Sequence, residues 1–263
     1  MSERWTRATL RERLAGPEYD EVRARTYLAL DVPDAEQARA WIDRLGDAVD
    51  GYKVGLELFY ASGTQILDEL ARRHKRVFLD VKLHDIPNTV AGAVKSLCQH
   101  PLEMVNVHAA AGRRALTAAR EAVEQSAFRP LLIGVTVLTS LGADDLTDIG
   151  VDHEPQEWVV RLAQLVHDCG FDGVVASARE VRRLRSRFGP GFELVVPGTR
   201  PAFADRADQR RTLPPGEALR LGASRLVVGR AVTRADEPEL ALFDIWEEMR
   251  QALGPARNGG GER

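Results

Sequence analysis

The sequence predicts a (β/α)8 TIM barrel, a single domain of the α/β class. Eight short apolar segments, suited to buried strands, start about every 28 residues. Segments with helical periodicity lie between them, and this alternation is typical of parallel strands joined by crossover helices. The length of 263 residues fits a barrel of about 250. A doubly wound open sheet is the alternative, but the first strand lacks the GxGxxG turn of dinucleotide-binding sheets.

The predicted strands are rich in Val, Leu, Ile and aromatic residues, with turn residues between them. They are expected at 26–32, 52–58, 76–83, 104–109, 131–138, 173–177, 193–198 and 225–232.

Four of the connecting segments have clear helical periodicity, at 34–49, 61–74, 157–170 and 215–222. Pro33–Asp34 and Pro214–Pro215 lie where helices are expected to begin. Gly170 and Gly222 lie where helices are expected to end.

The chain divides into three predicted regions. Residues 1–25 are rich in Arg and Glu and are expected to form a charged helical extension. Residues 26–252 form the catalytic barrel, and the glycine-rich residues 253–263 form a disordered tail.

Composition excludes several classes of protein. A hydrophobic fraction of 44% supports a real core, which a disordered chain lacks. A net charge of −3 argues against a nucleic-acid binder or a binder of anionic membranes. Cys98 and Cys169 cannot form a disulfide scaffold. Without a signal sequence or a membrane-length apolar stretch, a cytoplasmic location is expected.

The third strand carries charges on one face. Because side chains alternate across a strand, the two faces differ in composition. One face carries Val77, Leu79, Val81 and Leu83, and the other carries Phe78, Asp80, Lys82 and His84. The aliphatic face is expected to pack on the helices, so the charged face points into the barrel, toward its C-terminal mouth. Asp80 and Lys82 then lie about 7 Å apart along the strand.

Two further charges join this pair, since the first three strands of a barrel are neighbours. Asp31 ends the first strand, and Lys53 lies near the start of the second. These four residues could form a structural salt-bridge network. A catalytic role is favoured, because buried charges are costly even when paired and this fold carries its catalytic residues at that mouth.

A phosphate site is predicted where the last two strands end, as is common in this fold. Gly229 permits close approach of the backbone, and the guanidinium of Arg230 can bind phosphate oxygens in a fork. Arg200 can approach the phosphate from the other side, and residues 200–212 have the composition of a lid. The alternative is that these arginines are ordinary surface cations.

Other candidate sites are weaker. Thr139 and Ser140 end the fifth strand and could bind substrate or cap the next segment. The six histidines lack the spacing of metal ligands, so no metal site is predicted.

The segment DVKLHDIPNT, residues 80–89, resembles the signature of the orotidine 5′-phosphate decarboxylase family, Asp-x-Lys-x-x-Asp-Ile/Val-Pro-Asn-Thr. The resemblance spans about residues 26–235, in order and at family-like spacing. The other matching segments are ALDV with Asp31, YKVG with Lys53, VTVLTS with Thr139, PGTRP with Arg200, ADQRR with Gln209, and VVGR with Gly229 and Arg230. This combination is far more specific than Asp-x-Lys-x-x-Asp alone.

The resemblance implies decarboxylation of orotidine 5′-phosphate to UMP, the last step of de novo pyrimidine biosynthesis, with no cofactor. It implies that Lys82 protonates C6, that Asp80 lies against the scissile carboxylate, and that Lys53 and Asp85 complete the catalytic array. The implied substrate-binding residues are Asp31, Lys53, Asp80, Ile86, Thr89, Thr139, Ser140, Pro197, Arg200, Gln209, Gly229 and Arg230. It also implies a homodimer in which Asp85 and Thr89 reach the partner's site.

Two other functions are weighed against this one. Sugar-phosphate enzymes of the 3-keto-gulonate-6-phosphate decarboxylase or hexulose-phosphate synthase type resemble the same barrel but use Mg2+. They carry an acidic ligand where this chain has Lys53, and Glu57, expected on the second strand, is the only compensating carboxylate nearby. A catalytically silent nucleotide-binding barrel is disfavoured, since every reacting position is filled.

Overall fold

Eight parallel strands close into a barrel in chain order, with the first strand hydrogen-bonded to both the second and the eighth. The structure is a computed structural model and describes residues 6–199 and 213–254. The strands are β1 (Thr26–Leu30), β2 (Gly51–Gly55), β3 (Arg76–Leu83), β4 (Met104–His108), β5 (Leu131–Val135), β6 (Gly173–Val175), β7 (Glu193–Pro197) and β8 (Arg225–Val228). The predicted (β/α)8 barrel is therefore confirmed.

Helices connect the strands around the outside of the barrel. Within the described ranges they are α1 (Arg7–Leu14), α2 (Asp20–Ala24), α3 (Ala35–Leu45), α4 (Leu56–Ser62), α5 (Gln65–Arg72), α6 (Pro87–Leu97), α7 (Arg113–Glu124), α8 (Ala143–Asp148), α9 (Pro155–Asp168), α10 (Val181–Phe188), α11 (Pro215–Arg220), α12 (Arg230–Thr233) and α13 (Pro238–Leu253). Short 3-10 turns lie at Pro17–Tyr19, Gly46–Ala48 and Ala109–Ala111. No helix of these ranges has the length and apolar character needed to cross a membrane.

Several strands were predicted to extend further along the chain than they do. The second was expected to reach residue 58, but α4 begins at Leu56, and the eighth was expected to reach 232, but α12 begins at Arg230. Both misassigned segments carry an apolar residue, Leu58 or Val232, that is fully buried on its helix. An apolar run gives the same signal in a buried strand and on the buried face of a helix.

The helices begin and end near the expected Pro, Asp and Gly residues, with one correction. The helix predicted at 61–74 is two helices, α4 and α5, separated at Gly63, whose φ of 59° lies in the left-handed region. Gly170 and Gly222 also have positive φ and follow helix ends as predicted. The carboxylate of Asp34 accepts a hydrogen bond from the Gln37 N–H and caps α3.

The apolar core has two layers, separated by the sheet. Inside the barrel lie Tyr27, Ala29, Phe78, Met104, Ile133, Val195 and Val227. A larger layer lies between the strands and the helices and includes Val77 and Leu79 of β3. The alternation predicted for this strand is therefore confirmed at 77–79, with Phe78 inside and its neighbours outside.

Charged side chains close the N-terminal end of the barrel. Glu103 accepts hydrogen bonds from Arg76 at 2.8 Å and from Arg225 at 2.6 Å, at the starts of β3 and β8. The Tyr27 hydroxyl accepts from both guanidiniums. With this end filled, the C-terminal mouth remains for a ligand.

The segment before β1 packs against the barrel and α13. Arg23 donates to the carbonyls of Leu14 and Gly16 and to the carboxylate of Asp50. Tyr19 lies fully buried beside Trp246, with ring centroids 5.9 Å apart. The predicted division of the chain at residues 25 and 252 stays a prediction, and residues 1–5 and 255–263 lie outside the described ranges.

Candidate active site

A cavity of about 250 Å3 opens at the C-terminal mouth of the barrel. Nearly every strand contributes to its lining, which consists of Ala29, Asp31, Lys53, Phe78, Asp80, Lys82, Val135, Val137, Leu138, Thr139, Val175, Pro197, Gly198, Thr199, Val227, Gly229, Arg230 and Ala231. One side carries charged groups and the other side apolar ones. Such a cavity suits a ligand that is partly apolar and partly charged.

Four charged side chains alternate in sign along one wall. Lys53 Nζ lies 2.9 Å from Asp31 Oδ1 and 3.6 Å from Asp80 Oδ2. Lys82 Nζ donates to Asp80 Oδ1 at 2.7 Å. The predicted meeting of Asp31, Lys53, Asp80 and Lys82 is therefore what the structure has.

Asp80 is the central anion of this chain of charges. Burial acts to raise the pKa of its carboxyl, but the charges of Lys53 and Lys82 outweigh burial, and the net result is a pKa below the usual value. Hydrogen bonds from Lys82 and Asn106 act in the same direction. Asp80 is thus a fixed negative charge at neutral pH.

Strand β3 is irregular where it carries Lys82. Leu79 pairs with Val105 and Leu83 with Val107, so four steps on β3 face two steps on β4. Lys82 has a φ of 47°, a left-handed conformation that costs a non-glycine residue about 1–2 kcal/mol. We call residues 80–82 the β3 bulge. The regular strand expected from alternation, with Asp80 and Lys82 about 7 Å apart along it, is wrong here.

Asn106 is a site residue that the sequence analysis missed. It lies fully buried at the middle of β4. Its Oδ1 accepts from the Lys82 backbone N–H at 2.7 Å, and its Nδ2 donates to Asp80 Oδ1 at 2.7 Å. The available signal was a lone amide in the otherwise apolar run MVNV, on the same face as Met104.

The predicted phosphate site is described in part. Gly229 and Arg230, which follow β8, line the cavity next to Pro197, Gly198 and Thr199 at the end of the neighbouring strand β7. Arg200 and Gln209, and the segment 200–212 predicted as a lid, lie outside the described residues.

Four predicted site residues lie away from this cavity. Asp85, Ile86, Thr89 and Ser140 are not part of its lining, although Thr139 is. Asp85 and Ile86 line a separate, open cavity of about 680 Å3 with His84, Arg113 and Arg114. Ile86 is 67% exposed, which is unusual for a large apolar side chain.

The histidines and Glu57 supply no metal site. Among the residues described, no three His, Cys, Asp or Glu side chains come together to hold a metal. Glu57 was expected two pleats beyond Lys53 on a strand, but it lies in the first turn of α4 and is exposed. His84, expected to point into the barrel, stacks on His108 with ring centroids 5.1 Å apart. Burial, with the charges of His84 and Lys82, lowers the pKa of His108 to about 4.

Comparison with known proteins identifies relatives over most of the chain. The family described as "Orotidine 5'-phosphate decarboxylase / HUMPS family" matches residues 25–245. A protein named orotidine 5′-phosphate decarboxylase from Chromobacterium violaceum is 50% identical over 227 residues, which are 86% of this chain and 92% of that protein. One of the same name from Alkalilimnicola ehrlichii is 51% identical over 226 residues, 86% of this chain and 96% of that protein. The crystal structure of orotidine 5′-phosphate decarboxylase from Lactobacillus acidophilus is similar, with a TM-score of 0.75 and 34% identity over 85% of this chain and 98% of that one.

Replacing the central anion tests the electrostatics of the site. Asp80→Asn is expected to lower the free energy of unfolding at neutral pH, because Lys53 and Lys82 lose their shared counter-charge. Since the pKa of Asp80 is lowered by folding, its stabilisation is present above the unfolded-state pKa of about 4 and is lost as the pH falls through the folded-state pKa. In urea unfolding, the difference in unfolding free energy between the variant and the wild type should stay constant from about pH 8 to pH 5. It should decrease below about pH 4.

The matched control is Asp47→Asn, since the Asp47 side chain is 94% exposed and 3.5 Å from Lys75. Its gap to the wild type should be small at every pH. A gap for Asp80→Asn that widens on acidification would contradict the lowered pKa.

Proposed function

The chain belongs to the orotidine 5′-phosphate decarboxylase / HUMPS family, and we propose that its barrel mouth carries out the family reaction through Lys82, Asp80, Lys53 and Asp85. The protein is an enzyme that decarboxylates orotidine 5′-phosphate to UMP, in pyrimidine biosynthesis. The roles of individual residues are our proposal.

The observation that carries this proposal is the alternating row of charges beside an apolar cavity wall. A carboxylate that leaves as CO2 deposits an electron pair on the carbon it leaves. An ammonium group held beside that carbon stabilises the pair and can donate a proton to it. Lys82 lies at one end of the row, with Nζ held at 2.7 Å by Asp80.

The proposed step balances without another reactant. The bond between C6 of the pyrimidine and its carboxylate breaks, CO2 departs, and the bonding electrons remain on C6. Lys82 Nζ transfers a proton to C6 to form the C6–H bond of UMP, and the resulting amine regains a proton from solvent. Asp80 orients Lys82 for this transfer, and Lys53 holds the opposite side of Asp80.

The remaining side chains are proposed to bind the rest of the nucleotide. Asp31 and Lys53 hold the ribose hydroxyls, and Thr139 and Ser140 approach the pyrimidine. The phosphate-binding group is Pro197, Gly229 and Arg230, together with Arg200 and Gln209. This division is supported by the cavity, which has Asp31 and Lys53 on its lining and Gly229 and Arg230 at the end of β8.

We further propose a homodimer in which Asp85 and Thr89 of each subunit contribute to the partner's site. Support comes from the β3–α6 turn, which leaves the barrel mouth and presents Ile86 to solvent beside an open cavity. A two-fold contact at this turn would cover the apolar side chain and make each subunit both lend and borrow Asp85.

No observation favours the Mg2+-dependent alternative. Lys53 forms ion pairs with both Asp31 and Asp80, and a cation between these carboxylates repels a metal ion. Glu57 is exposed on α4 and does not compensate. The absence of a cofactor and the cytoplasmic location stay predictions.

Lys82→Ala is expected to lower kcat for orotidine 5′-phosphate by about 10^2–10^4-fold or more, because it removes the proton donor. The loss is measured by following the conversion to UMP, and retention of the fold is checked by thermal unfolding. Lys75→Ala, the same substitution just before the other end of β3, is the control and should keep its activity. A kcat for Lys82→Ala within about tenfold of the wild type would contradict the role of Lys82 as proton donor.

Arg230→Ala is expected to lower kcat/KM about 100-fold for orotidine 5′-phosphate and far less for the nucleoside orotidine. The phosphate lies far from C6, so its binding energy acts by positioning the substrate. The control is Arg234→Ala, which changes an exposed arginine just after the same helix. Equal losses on the two substrates would refute the role of Arg230.

Mixing two inactive variants tests the shared site. Lys82→Ala and Asp85→Ala homodimers should each be nearly inactive, whereas a mixed dimer contains one site with Lys82 from one chain and Asp85 from the other. Random exchange makes about half of the dimers mixed, so about a quarter of all sites should regain activity. No recovery after verified subunit exchange would reject the shared site and leave the decarboxylase activity standing.

A further inference from the structure

Asn106 is a buried polar residue of β4 that hydrogen-bonds to β3 at the row of charges. It is fully buried, and Ile133, its pairing partner on β5, is apolar. A buried amide without hydrogen-bond partners destabilises a fold, so its retention in an apolar strand requires specific partners. Both partners of Asn106 are in the β3 bulge.

The amide replaces a backbone contact that the β3 bulge removes. Leu79 pairs with Val105 and Leu83 pairs with Val107. Three residues of β3 therefore lie opposite a single residue of β4, Asn106. Lys82 therefore directs its backbone N–H to the Asn106 side chain. This bond holds Lys82 in a left-handed conformation that lysine rarely adopts.

A primary amide fits this place because it both accepts and donates. The Lys82 N–H requires an acceptor, and the Asp80 carboxylate requires a donor. Asn106 meets both needs at 2.7 Å each, so its orientation is fixed. The same Asp80 Oδ1 also accepts from Lys82 Nζ. Asn106 thereby fixes the backbone of Lys82 and the carboxylate that holds its ammonium group.

We propose that Asn106 is a positioning residue for decarboxylation, which sets the place of Lys82 Nζ through the β3 bulge and through Asp80. The inference rests on the proposed roles of Lys82 and Asp80. Asn106 itself is not part of the cavity lining, so its loss should affect the chemical step and leave nucleotide binding intact.

Asn106→Leu removes both hydrogen bonds and keeps the branched shape of the side chain. We expect kcat for orotidine 5′-phosphate to fall at least about 100-fold, the size of effect that a misplacement of about 1 Å produces. The Kd of UMP should change by less than about threefold, because the residues proposed to bind ribose and phosphate are untouched. A purely structural role would instead lower stability and leave kcat per folded molecule unchanged.

Asn106→Asp tests the two hydrogen bonds of Asn106 separately, and it is the variant to measure if the leucine variant does not fold. The new carboxylate can still accept from the Lys82 N–H but donates to Asp80 only when protonated. Burial and the charge of Asp80 raise the pKa of the new carboxyl. The ratio of its kcat to that of the wild type is therefore expected to rise steadily from pH 8 to pH 5.5. The ionisable groups facing this position are Asp80 and Lys82 from β3, Lys53 behind Asp80 on β2, and His108 on β4.

Thr26→Val is the matched control for stability. Thr26 is also buried and hydrogen-bonded, with its hydroxyl 2.6 Å from the Val22 carbonyl, but it lies at the N-terminal end of β1. Its kcat should match that of the wild type even if its unfolding temperature falls.

The outcomes distinguish this inference from the function on which it rests. If Lys82→Ala is inactive but both Asn106 variants keep kcat within about threefold of the wild type, the positioning role alone is overturned. An active Lys82→Ala variant would instead overturn the assigned role of the lysine.

Discussion

The arrangement of the site depends on the ion pairs and hydrogen bonds that the carboxylate of Asp80 accepts. Groups from three strands converge on it: Lys53 from β2, Lys82 from its own strand and Asn106 from β4. Removing a carboxylate from water is costly, and here two ammonium charges and an amide offset that cost. Because each of these groups is positioned by a different strand, the geometry of the charges is a property of the whole barrel mouth and not of a single loop.

The barrel places this carboxylate where a ligand can reach it. Arg76, Arg225 and Glu103 fill the N-terminal end, and the interior apolar layer, which includes Phe78, fills the middle. The cavity with the charged wall lies beyond that layer, at the C-terminal ends of the strands. The electrostatic interactions therefore act at the edge of an apolar core, where they are stronger than in water, and the groups are already oriented before substrate arrives.

The sequence predicted the fold and the charged wall because both follow from simple periodicity. Eight repeats of strand and helix define the barrel, and alternation along β3 predicts that Asp80 and Lys82 face inward, which the cavity lining confirms although β3 is irregular between them. It did not predict the end of β2, where Leu58 is equally apolar on a helix, nor the β3 bulge, which no local pattern marks. Asn106 was missed for the same reason, since its importance depends on a register shift in the neighbouring strand. Asp85, Ile86 and Thr89 were predicted from the family resemblance alone, because no periodicity or charge pattern in the sequence singles them out.

In the proposed mechanism, Lys82, held by Asp80, lies against C6 of the pyrimidine. A crystal structure of the enzyme with UMP bound measures this directly. We expect Lys82 Nζ to lie within about 3.5 Å of C6, the distance from which a proton can be transferred. We also expect the phosphate to lie against Gly229 and Arg230. A pyrimidine bound with C6 more than about 5 Å from Lys82 Nζ, or a phosphate bound outside the cavity at the barrel mouth, would contradict this mechanism.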